Sequence, residues 1–322
     1  MHLNCINSLY MKTSEASRIS TETIIAESFT SQSIEFKEIK KATENFRPNS
    51  LLGEGRFDYV YKGWIHEYNL TAAKPGSGMA VAVKKWKGLQ GRQEWMYKLY
   101  YLSKLQHPNL VKLIGHCSEE DNMLMVYEFM PNGSLVDHLF ARRNQSLSWA
   151  TRIKVATGAA RALSFLHGLE IQVIHGGFKS GDILLDGEFN AKLSDFGLAR
   201  NGPTGDMTHV STRVMGTYGY AATGRLTAKS DVYGFGVILL ELLTGRFAYD
   251  MLKVLQEQNL VNWVQPYLLH KRKWKRIMDT KLEGRYPQNG AYIVATLACK
   301  CVSQDPRKRP TMAEVLVALE QL

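Results

Sequence analysis

The spacing of apolar residues along the chain predicts strands in its first part and helices in the remainder. Residues 79–83 and 123–127 are nearly continuous apolar runs of strand length. Between them, apolar residues recur every three or four positions over residues 90–105, which predicts an amphipathic helix. The same spacing returns over residues 149–168. Residues 231–243 are apolar nearly all round, which is typical of a helix at the centre of a folded unit.

The length of the chain bounds its organisation. Its 322 residues, 45% of them hydrophobic, suit one globular unit of two lobes or two modest domains. Residues 131–134, Pro-Asn-Gly-Ser, form a turn signal that we expect at the lobe boundary. Residues 1–33 are rich in Ser, Thr and Glu with little apolar periodicity, which predicts a mobile extension. We therefore predict a first lobe with a preceding helix at 34–127 and a second lobe at 128–322.

The net charge of +10 limits the partners that we expect. Part of the excess lies in two short basic runs, residues 271–276 and 307–309. Such runs are usually solvated faces, although they also provide a weak attraction to anionic lipid headgroups or acidic partners. The sequence contains no nucleic-acid-binding motif, so we expect no nucleic-acid partner.

The cysteines and the apolar runs favour a cytoplasmic location, with at most peripheral contact at the plasma membrane. Cys5, Cys117, Cys299 and Cys301 show neither zinc-binding spacing nor a disulfide framework, which favours a reducing compartment. We expect no membrane span and no secretory signal. His2 stands where N-myristoylation requires Gly, although Cys5 remains a candidate for acylation.

Residues 174–186 have the outline of a protein-kinase catalytic loop, in which His-Arg-Asp is followed by Lys-x-x-Asn and an apolar strand. The initial His and Lys179 are present, whereas Gly176, Gly177 and Asp182 replace the Arg, the catalytic Asp and the Asn. The catalytic Asp accepts the proton of the substrate hydroxyl, and a positioned base contributes about 10²–10⁴-fold to the rate. Gly177 has no side chain for this role. Asp182, in contrast, keeps an oxygen ligand of the kind that suits Mg²⁺.

A glycine-rich segment and a strand lysine resemble the phosphate-binding parts of a kinase. The kinase loop has the pattern Gly-x-Gly-x-x-Gly-x-Val, and Gly53, Gly55 and Val60 match it, with Asp58 at the third glycine. We expect the Asp58 carboxylate to repel phosphate groups. Lys84 ends the next apolar strand and matches the lysine that holds the α- and β-phosphates.

The helix predicted over residues 90–105 departs from the kinase pattern at one charged position. In a kinase this helix supplies a Glu that pairs with the strand lysine, but Lys98 occupies the position here. We expect Lys98 and Lys84 to repel each other and the helix to lose its electrostatic clamp. Glu94, one turn before Lys98, is placed to pair with it. Further along, Asp195 matches the Mg²⁺-binding Asp of the Asp-Phe-Gly motif.

The segment after this motif lacks a block that kinases use to close it. Residues 208–222 follow the kinase activation segment, but the chain then passes from Ala222 to Thr223 without a Pro-Glu pair. That Glu normally pairs with a buried Arg, whose counterpart is Arg309, so we expect Arg309 to lose its carboxylate at a cost in stability. A wrong gene model or a decaying duplicate would also explain the gap, although neither would restore an Asp at Gly177.

The segments 36–63, 179–180 with 183–186, 195–200, 210–222 and 229–233 together resemble plant receptor-like cytoplasmic kinases of the Pelle-related class, in particular the PBS1-like serine/threonine kinases. The resemblance extends from about residue 34 to the end of the chain. It implies an α+β, bilobal protein-kinase fold with a small antiparallel β-rich N-lobe and a larger, mostly helical C-lobe. It also implies Tyr127 as gatekeeper of the cleft, and ATP and Mg²⁺ as ligands, here weakly bound.

The resemblance implies three sets of site residues, besides a base position that is empty at Gly177 and a retained Lys179. The nucleotide-binding set is Leu52, Gly53, Gly55, Val60, Ala82, Lys84, Glu128, Met130 and Leu184. The metal-binding set is Asp195 and Asp182. The phosphorylatable set is Ser211, Thr212 and Thr217.

Two functions remain open from the residues. The first is a pseudokinase of plant immune or receptor signalling, which acts as a scaffold, decoy or regulator and retains some ATP binding. The second is a weakly active serine/threonine protein kinase. In either case, the resemblance implies other protein kinases, receptor complexes or pathogen effectors as partners. Phosphate transfer separates the two functions, whereas nucleotide affinity does not.

Overall fold

The computed structural model describes residues 31–55, 57–88, 92–119, 121–140, 146–203, 219–220, 226–268 and 273–322. Most of the predicted extension lies outside these residues. The predicted phosphorylation positions Ser211, Thr212 and Thr217 and the Ala222–Thr223 junction also lie outside them.

The first part of the described chain forms a six-stranded sheet in the order β1-β5-β6-β4-β3-β2. Its strands are β1 (Gln32–Ser33), β2 (Leu51–Glu54), β3 (Asp58–Ile65), β4 (Met79–Trp86), β5 (Leu113–Glu119) and β6 (Asn122–Glu128). All neighbouring strands are antiparallel except β1 and β5. The glycine-rich segment is therefore the β2–β3 hairpin, as its alternating pattern predicts.

Strand β4 lies inside the sheet and positions the lysine of the candidate site. Its Val81 and Val83 are buried and pack in a cluster with Ile39 of helix α1 (Phe36–Ala42). Because side chains alternate between the two faces of a strand, Lys84 points to the opposite face. Lys84 pairs across the sheet with Val60 of β3, which places its side chain beside the glycine hairpin.

Helix α2 (Arg92–Lys104) packs between the sheet and the Asp-Phe-Gly turn. It lies within the helix predicted over residues 90–105. A Cβ on Gly197 of the turn would lie 2.6 Å from Cγ of Glu94, so only a glycine permits this close approach. The contact fixes the height of the helix above the turn and, with it, the position of Lys98 one turn later.

The rest of the described chain is mainly helical. The helices are α3 (Leu135–Leu139), α4 (Trp149–His167), α5 (Ala228–Thr244), α6 (Leu255–Gln258), α7 (Leu260–Leu268), α8 (Gln288–Cys301) and α9 (Met312–Glu320). Every residue of α5 from Asp231 to Thr244 is buried, which agrees with the central helix that its all-round apolar pattern predicts. Helix α9 begins at a capping box formed by Thr311 and Glu314.

Two short strand pairs carry the loops of the candidate site. Strand β7 (Val173–Ile174) pairs with β10 (Arg200–Asn201), and β8 (Ile183–Leu185) pairs with β9 (Ala191–Leu193). The segment 175–182 connects β7 to β8, and the segment 194–199 connects β9 to β10. The two connections are therefore held side by side at the junction of sheet and helices.

Arg309 is better satisfied than the missing Pro-Glu block suggests. It is 4% exposed, and its guanidinium donates to the carbonyl oxygens of Ser303 and Lys229, each at 2.8 Å. The guanidinium also lies 5.0 Å from the ring centroid of Tyr233, a favourable cation–π distance. Carbonyl dipoles and an aromatic face therefore offset much of the burial cost that the sequence predicts.

Among the described residues, none of the helices combines the length and the apolar character needed to cross a bilayer.

Candidate functional site

A cleft with a volume of 430 Å³ lies between the sheet and the helical part. Most of the predicted nucleotide-binding residues line it together with the predicted metal-binding pair. The predicted residues on its wall are Leu52, Gly53, Val60, Ala82, Lys84, Glu128, Met130, Asp182, Leu184 and Asp195. Tyr127 also lines it, whereas Gly55 is not part of its wall. The structure thus brings together residues that are up to 143 positions apart in the sequence.

The inner end of the cleft suits a flat, mostly apolar ring. Ala82 and Leu184 line it from the two lobes, and residues 128–130 continue from β6 along its edge. The Glu128 carboxylate accepts from Lys192 Nζ at 2.8 Å and from the Lys112 N–H at 2.7 Å. These bonds fix the connecting segment against the helical part. Apolar walls beside a fixed backbone edge are the usual features of a small-molecule site.

Lys84, the predicted phosphate-binding lysine, is paired with Asp58. Its ammonium lies 3.0 Å from Asp58 Oδ2, and both side chains are less than one-fifth exposed. The Asp58 carboxylate lies against Gly55 in the turn of the hairpin, so closely that a Cβ on Gly55 would be 2.5 Å from Asp58 Oδ1. The sequence predicts only that Asp58 repels phosphate. In the structure, the Asp58 carboxylate also forms an ion pair with the Lys84 ammonium, the cation that would otherwise attract phosphate.

Lys98 is paired with two carboxylates. Its ammonium lies 2.5 Å from Glu94 Oε1 and 2.9 Å from Asp195 Oδ1, and its side chain is 1% exposed. The pair with Glu94 was predicted, whereas the pair with Asp195 was not. Lys84 pairs with Asp58 and not with helix α2, so the clamp between the helix and the strand lysine is absent, as expected. A different ion pair, Lys98 with Asp195, joins the helix to the Asp-Phe-Gly turn.

The pKa values of Lys98 and Asp195 follow from burial and from neighbouring charges. Burial by itself disfavours the charged form of Lys98, but the carboxylates of Asp195 and Glu94 outweigh it and raise the pKa of the ammonium. Burial likewise opposes ionisation of Asp195, but Lys98 and then Lys84 hold the pKa of its carboxyl well below the usual range. Both groups are therefore charged at neutral pH.

The expected repulsion between the two lysines is offset by their surroundings. The ammonium groups of Lys84 and Lys98 lie 5.4 and 5.2 Å from the ring centroid of Trp86, which is itself buried. Each cation therefore has a carboxylate partner and shares one aromatic ring. In and beside the cleft lies a set of paired charges, which we call the cleft charge network: Asp58, Lys84, Lys98, Glu94 and Asp195.

The predicted metal-binding pair does not fit Mg²⁺ in this arrangement. Asp195 is bound by the Lys98 ammonium at 2.9 Å, a positive charge where the cation would bind. Asp182 is buried, its oxygens lie 3.3 Å from the Lys179 N–H and 3.4 Å from Lys179 Nζ, and burial and then Asp195 raise its pKa to about 8. Mg²⁺ requires ionised oxygen ligands in near-octahedral geometry. Within the described part of the chain, His, Cys, Asp and Glu side chains form no group of three or more that suits a metal ion.

The position of the catalytic base borders a second cavity of 220 Å³ beside Gly177. The carboxylates that line this cavity belong to Glu94, Asp182 and Asp195, and each is engaged by Lys98 or Lys179. Because Gly177 has no side chain, no ionisable group extends from the backbone at the base position. A Cβ added there would lie 3.0 Å from Cδ1 of Leu198.

The backbone of the loop around Gly177 is nevertheless anchored from below. The Asp231 carboxylate, 2% exposed, accepts from the N–H groups of His175 at 2.8 Å and Gly176 at 2.9 Å. It also lies 2.9 Å from His167 Nε2. These bonds hold the loop on helix α5. The role of Asp231 was not predicted, although a lone carboxylate at the start of an apolar helix is a usable signal, because buried charges require partners.

A second buried carboxylate supports the same loop. The Tyr220 hydroxyl donates to Glu241 Oε1 at 2.6 Å and lies 2.9 Å from Ser180 Oγ. The Ala248 N–H also donates to Glu241 Oε1, at 3.0 Å. Burial raises the pKa of Glu241 to about 7. This chain of bonds connects the loop to the centre of helix α5 and was also not predicted.

Comparison with known proteins agrees with this geometry. A family profile described as "Protein tyrosine and serine/threonine kinase" matches residues 46–319. "Probable serine/threonine-protein kinase PBL3" of Arabidopsis thaliana is 63% identical over 294 residues, which cover 89% of this chain and 69% of that protein. "Receptor-like cytoplasmic kinase 176" of Oryza sativa subsp. japonica is 52% identical over 311 residues, which cover 94% and 79%. The profile and these relatives confirm the predicted protein-kinase fold, and the chain belongs to the protein tyrosine and serine/threonine kinase family, among the PBL-type receptor-like cytoplasmic kinases of plants.

Proposed function

We propose that this chain is a pseudokinase of plant receptor signalling, which binds nucleotide and acts through its partners without transferring phosphate. The observation that carries the proposal is Gly177. The position of the general base has no side chain, and the carboxylates around it are engaged by lysines. A substrate hydroxyl placed there has no free base to accept its proton.

The cleft charge network adds to this deficit. Phosphoryl transfer depends almost entirely on positioning and charge stabilisation, and here Lys84 is paired with Asp58 and Asp195 with Lys98. If each altered part, Gly177 included, costs about tenfold, the barrier rises by about 1.4 kcal/mol for each. Parts that act together need not add, but the combined loss is large under either assumption.

The second candidate is a weakly active serine/threonine kinase. It is favoured by the printed names of the relatives, which are serine/threonine-protein kinases. It is also favoured by the cavity beside Gly177, whose lining includes both Glu94 and the retained Lys179. In this alternative, Glu94 or a water replaces the missing base.

A transfer assay distinguishes the two candidates. The purified chain is incubated with ATP labelled on the γ-phosphate and with a protein substrate, beside a protein kinase of demonstrated activity as positive control. We expect no incorporated label above that of a Lys84→Ala variant. Incorporation that is clear in the parent and absent in Lys84→Ala would overturn the pseudokinase proposal and support the second candidate.

The partners follow the same proposal. We propose that the chain docks on protein kinases or receptor complexes at the cytoplasmic face of the plasma membrane, and that pathogen effectors also bind it. The activation-segment positions Ser211, Thr212 and Thr217 would present hydroxyl groups to a modifying enzyme. Affinity purification from plant tissue, followed by phosphopeptide mapping, tests both parts. Recovery of neither a kinase nor a receptor would remove the basis of the docking proposal.

A further inference from the structure

We propose that the Lys98 ammonium replaces the divalent cation of this cleft, so that the chain binds nucleoside triphosphates without metal through Lys84 and Lys98. The inference rests on the nucleotide binding of the proposed function and goes beyond it by specifying the counter-charge. It predicts an unusual property, namely that a chelator leaves nucleotide affinity intact.

The first support is the position of the ammonium. Lys98 Nζ lies 2.9 Å from Asp195 Oδ1, the oxygen that in this family would hold the metal. A divalent cation on that oxygen would adjoin a positive charge that is 1% exposed and poorly screened. Lys98 and a metal therefore compete for one site.

The second support is that Lys98 cannot easily leave. Its helix is seated on the Asp-Phe-Gly turn, where Glu94 Cγ would be 2.6 Å from a Cβ on Gly197. Glu94 itself holds the ammonium at 2.5 Å, and Trp86 lies beside it. Because the side chain is held by packing on all these sides, the Lys98 ammonium can leave the cleft only if the whole helix moves. The cation is thus a permanent part of the cleft.

The third support is that the same cleft holds a second cation. Lys84 and Lys98 both line the cleft and lie within 5.4 Å of the ring centroid of one Trp86 side chain. Two ammonium groups therefore stand on one side of the cleft, where Asp58 balances the charge of Lys84, and Glu94 and Asp195 balance that of Lys98. Ammonium–phosphate hydrogen bonds are among the stronger ones in proteins.

The arrangement also predicts a competitor for the nucleotide. Phosphate must displace the Asp58 carboxylate, which lies 3.0 Å from Lys84 Nζ. Asp58 is the first residue of β3, directly after the turn of the hairpin, so its release would move the β2–β3 hairpin. Removal of Asp58 should therefore strengthen binding, whereas removal of Lys98 should weaken it. The two variants are expected to change nucleotide affinity in opposite directions, which a general loss of folding would not do.

The experiment is a fluorescence titration of the purified full chain with N-methylanthraniloyl-ATP, in excess EDTA and in excess MgCl₂. We expect the two dissociation constants to agree within about threefold. Lys98→Met should weaken binding in EDTA by about tenfold or more, because a charge-assisted contact is lost. Lys104→Met removes a charge from the same helix outside the cleft wall and should change nothing. Circular dichroism and the melting temperature check folding.

The other possible outcomes of this titration each count against the inference or test it by a second route. Binding by the parent that is about tenfold or more tighter in Mg²⁺ than in EDTA would overturn this inference and leave the proposed function standing. Lys98→Met binding as tightly as the parent in EDTA would also overturn it. No binding in either buffer would remove the nucleotide part of the proposed function and this inference with it. If Lys98→Met does not fold, the parent comparison and the Asp58→Gly variant, expected to bind more tightly in EDTA, decide the question.

Discussion

Two regions follow the kinase pattern to different degrees. One is the frame beneath the catalytic loop, by which we mean Asp231 of helix α5 and the backbone N–H groups of His175 and Gly176. The other is the set of charges that face the cleft. Beneath the loop, Asp231 holds the backbone of His175 and Gly176, and the segment keeps its connection to helix α5. In the cleft, Asp58 and Lys98 replace the glycine and the glutamate that a kinase would have, and new ion pairs have formed around them.

The difference has a physical reason. A buried carboxylate that accepts from two backbone N–H groups has no substitute nearby, so its removal leaves unsatisfied donors. Charges that face a cleft can be exchanged if each new cation meets a carboxylate, as Lys98 does at Asp195 and Glu94. Folding therefore requires the frame in its standard form, but it requires only that the cleft charges be paired.

The largest expected effect comes from breaking the frame. Asp231→Ala leaves the N–H groups of His175 and Gly176 buried without an acceptor, and we expect a loss of about 4 kcal/mol in the free energy of unfolding. Urea unfolding measures it. Glu320→Ala removes a carboxylate from an exposed pair with Arg161 and should change stability by less than about 1 kcal/mol. Equal effects of the two substitutions would contradict the comparison.

Breaking the cleft network should cost less. Lys98→Met leaves the Asp195 carboxylate without its ammonium, but that carboxylate is about one-third exposed, so we expect a loss of about 2–3 kcal/mol. Asp195→Asn in the same background should recover most of it, because the uncompensated charge is gone. A double-mutant cycle by urea unfolding tests this coupling. Additive losses would show that the two side chains do not interact.

The buried carboxylate of Glu241 predicts a pH dependence. Its pKa is raised by burial to about 7, whereas an unfolded Glu titrates near about 4.3. Its contribution to stability is therefore fully present below about pH 4 and is lost as the pH rises to about 7. Between pH 5 and pH 8, the parent should lose about 2 kcal/mol relative to Glu241→Gln. Unfolding curves that remain parallel over this range would refute the assignment.

The smallest effect concerns affinity. Asp58→Gly frees Lys84 and should tighten the binding of N-methylanthraniloyl-ATP about fivefold, or about 1 kcal/mol. Asp58→Asn keeps the shape of the side chain without its charge and should shift affinity in the same direction. If only the glycine variant binds more tightly, the flexibility of the hairpin and not the charge of Asp58 limits binding.

The sequence predicts local features well because these depend on neighbouring residues. The glycine hairpin, the central helix α5 and the Glu94–Lys98 pair follow from periodicity and from the spacing of four residues on one helix face. Asp195 as a partner of Lys98 could not be predicted, since the two lie 97 positions apart and meet only because Gly197 admits the helix so closely.

The remaining differences have the same origin. The sequence predicts that Asp58 and Lys98 are unfavourable, because it compares each residue with the kinase pattern alone. The structure shows each one beside a compensating group. The sequence likewise predicts that Arg309 loses its carboxylate partner, but the carbonyl groups of Ser303 and Lys229 accept hydrogen bonds from its guanidinium. Backbone acceptors leave no signal in the side-chain pattern.

Phosphate transfer tests the central claim most directly. The purified chain, in excess over ATP labelled on the γ-phosphate and mixed with a protein substrate, is followed through a single turnover with Mg²⁺ present. The account predicts that the label stays in ATP in the parent, as it does in Lys84→Ala. Transfer to a protein hydroxyl by the parent at an ordinary kinase rate, on the order of 1–100 s⁻¹, and its loss in Lys84→Ala, would contradict the account.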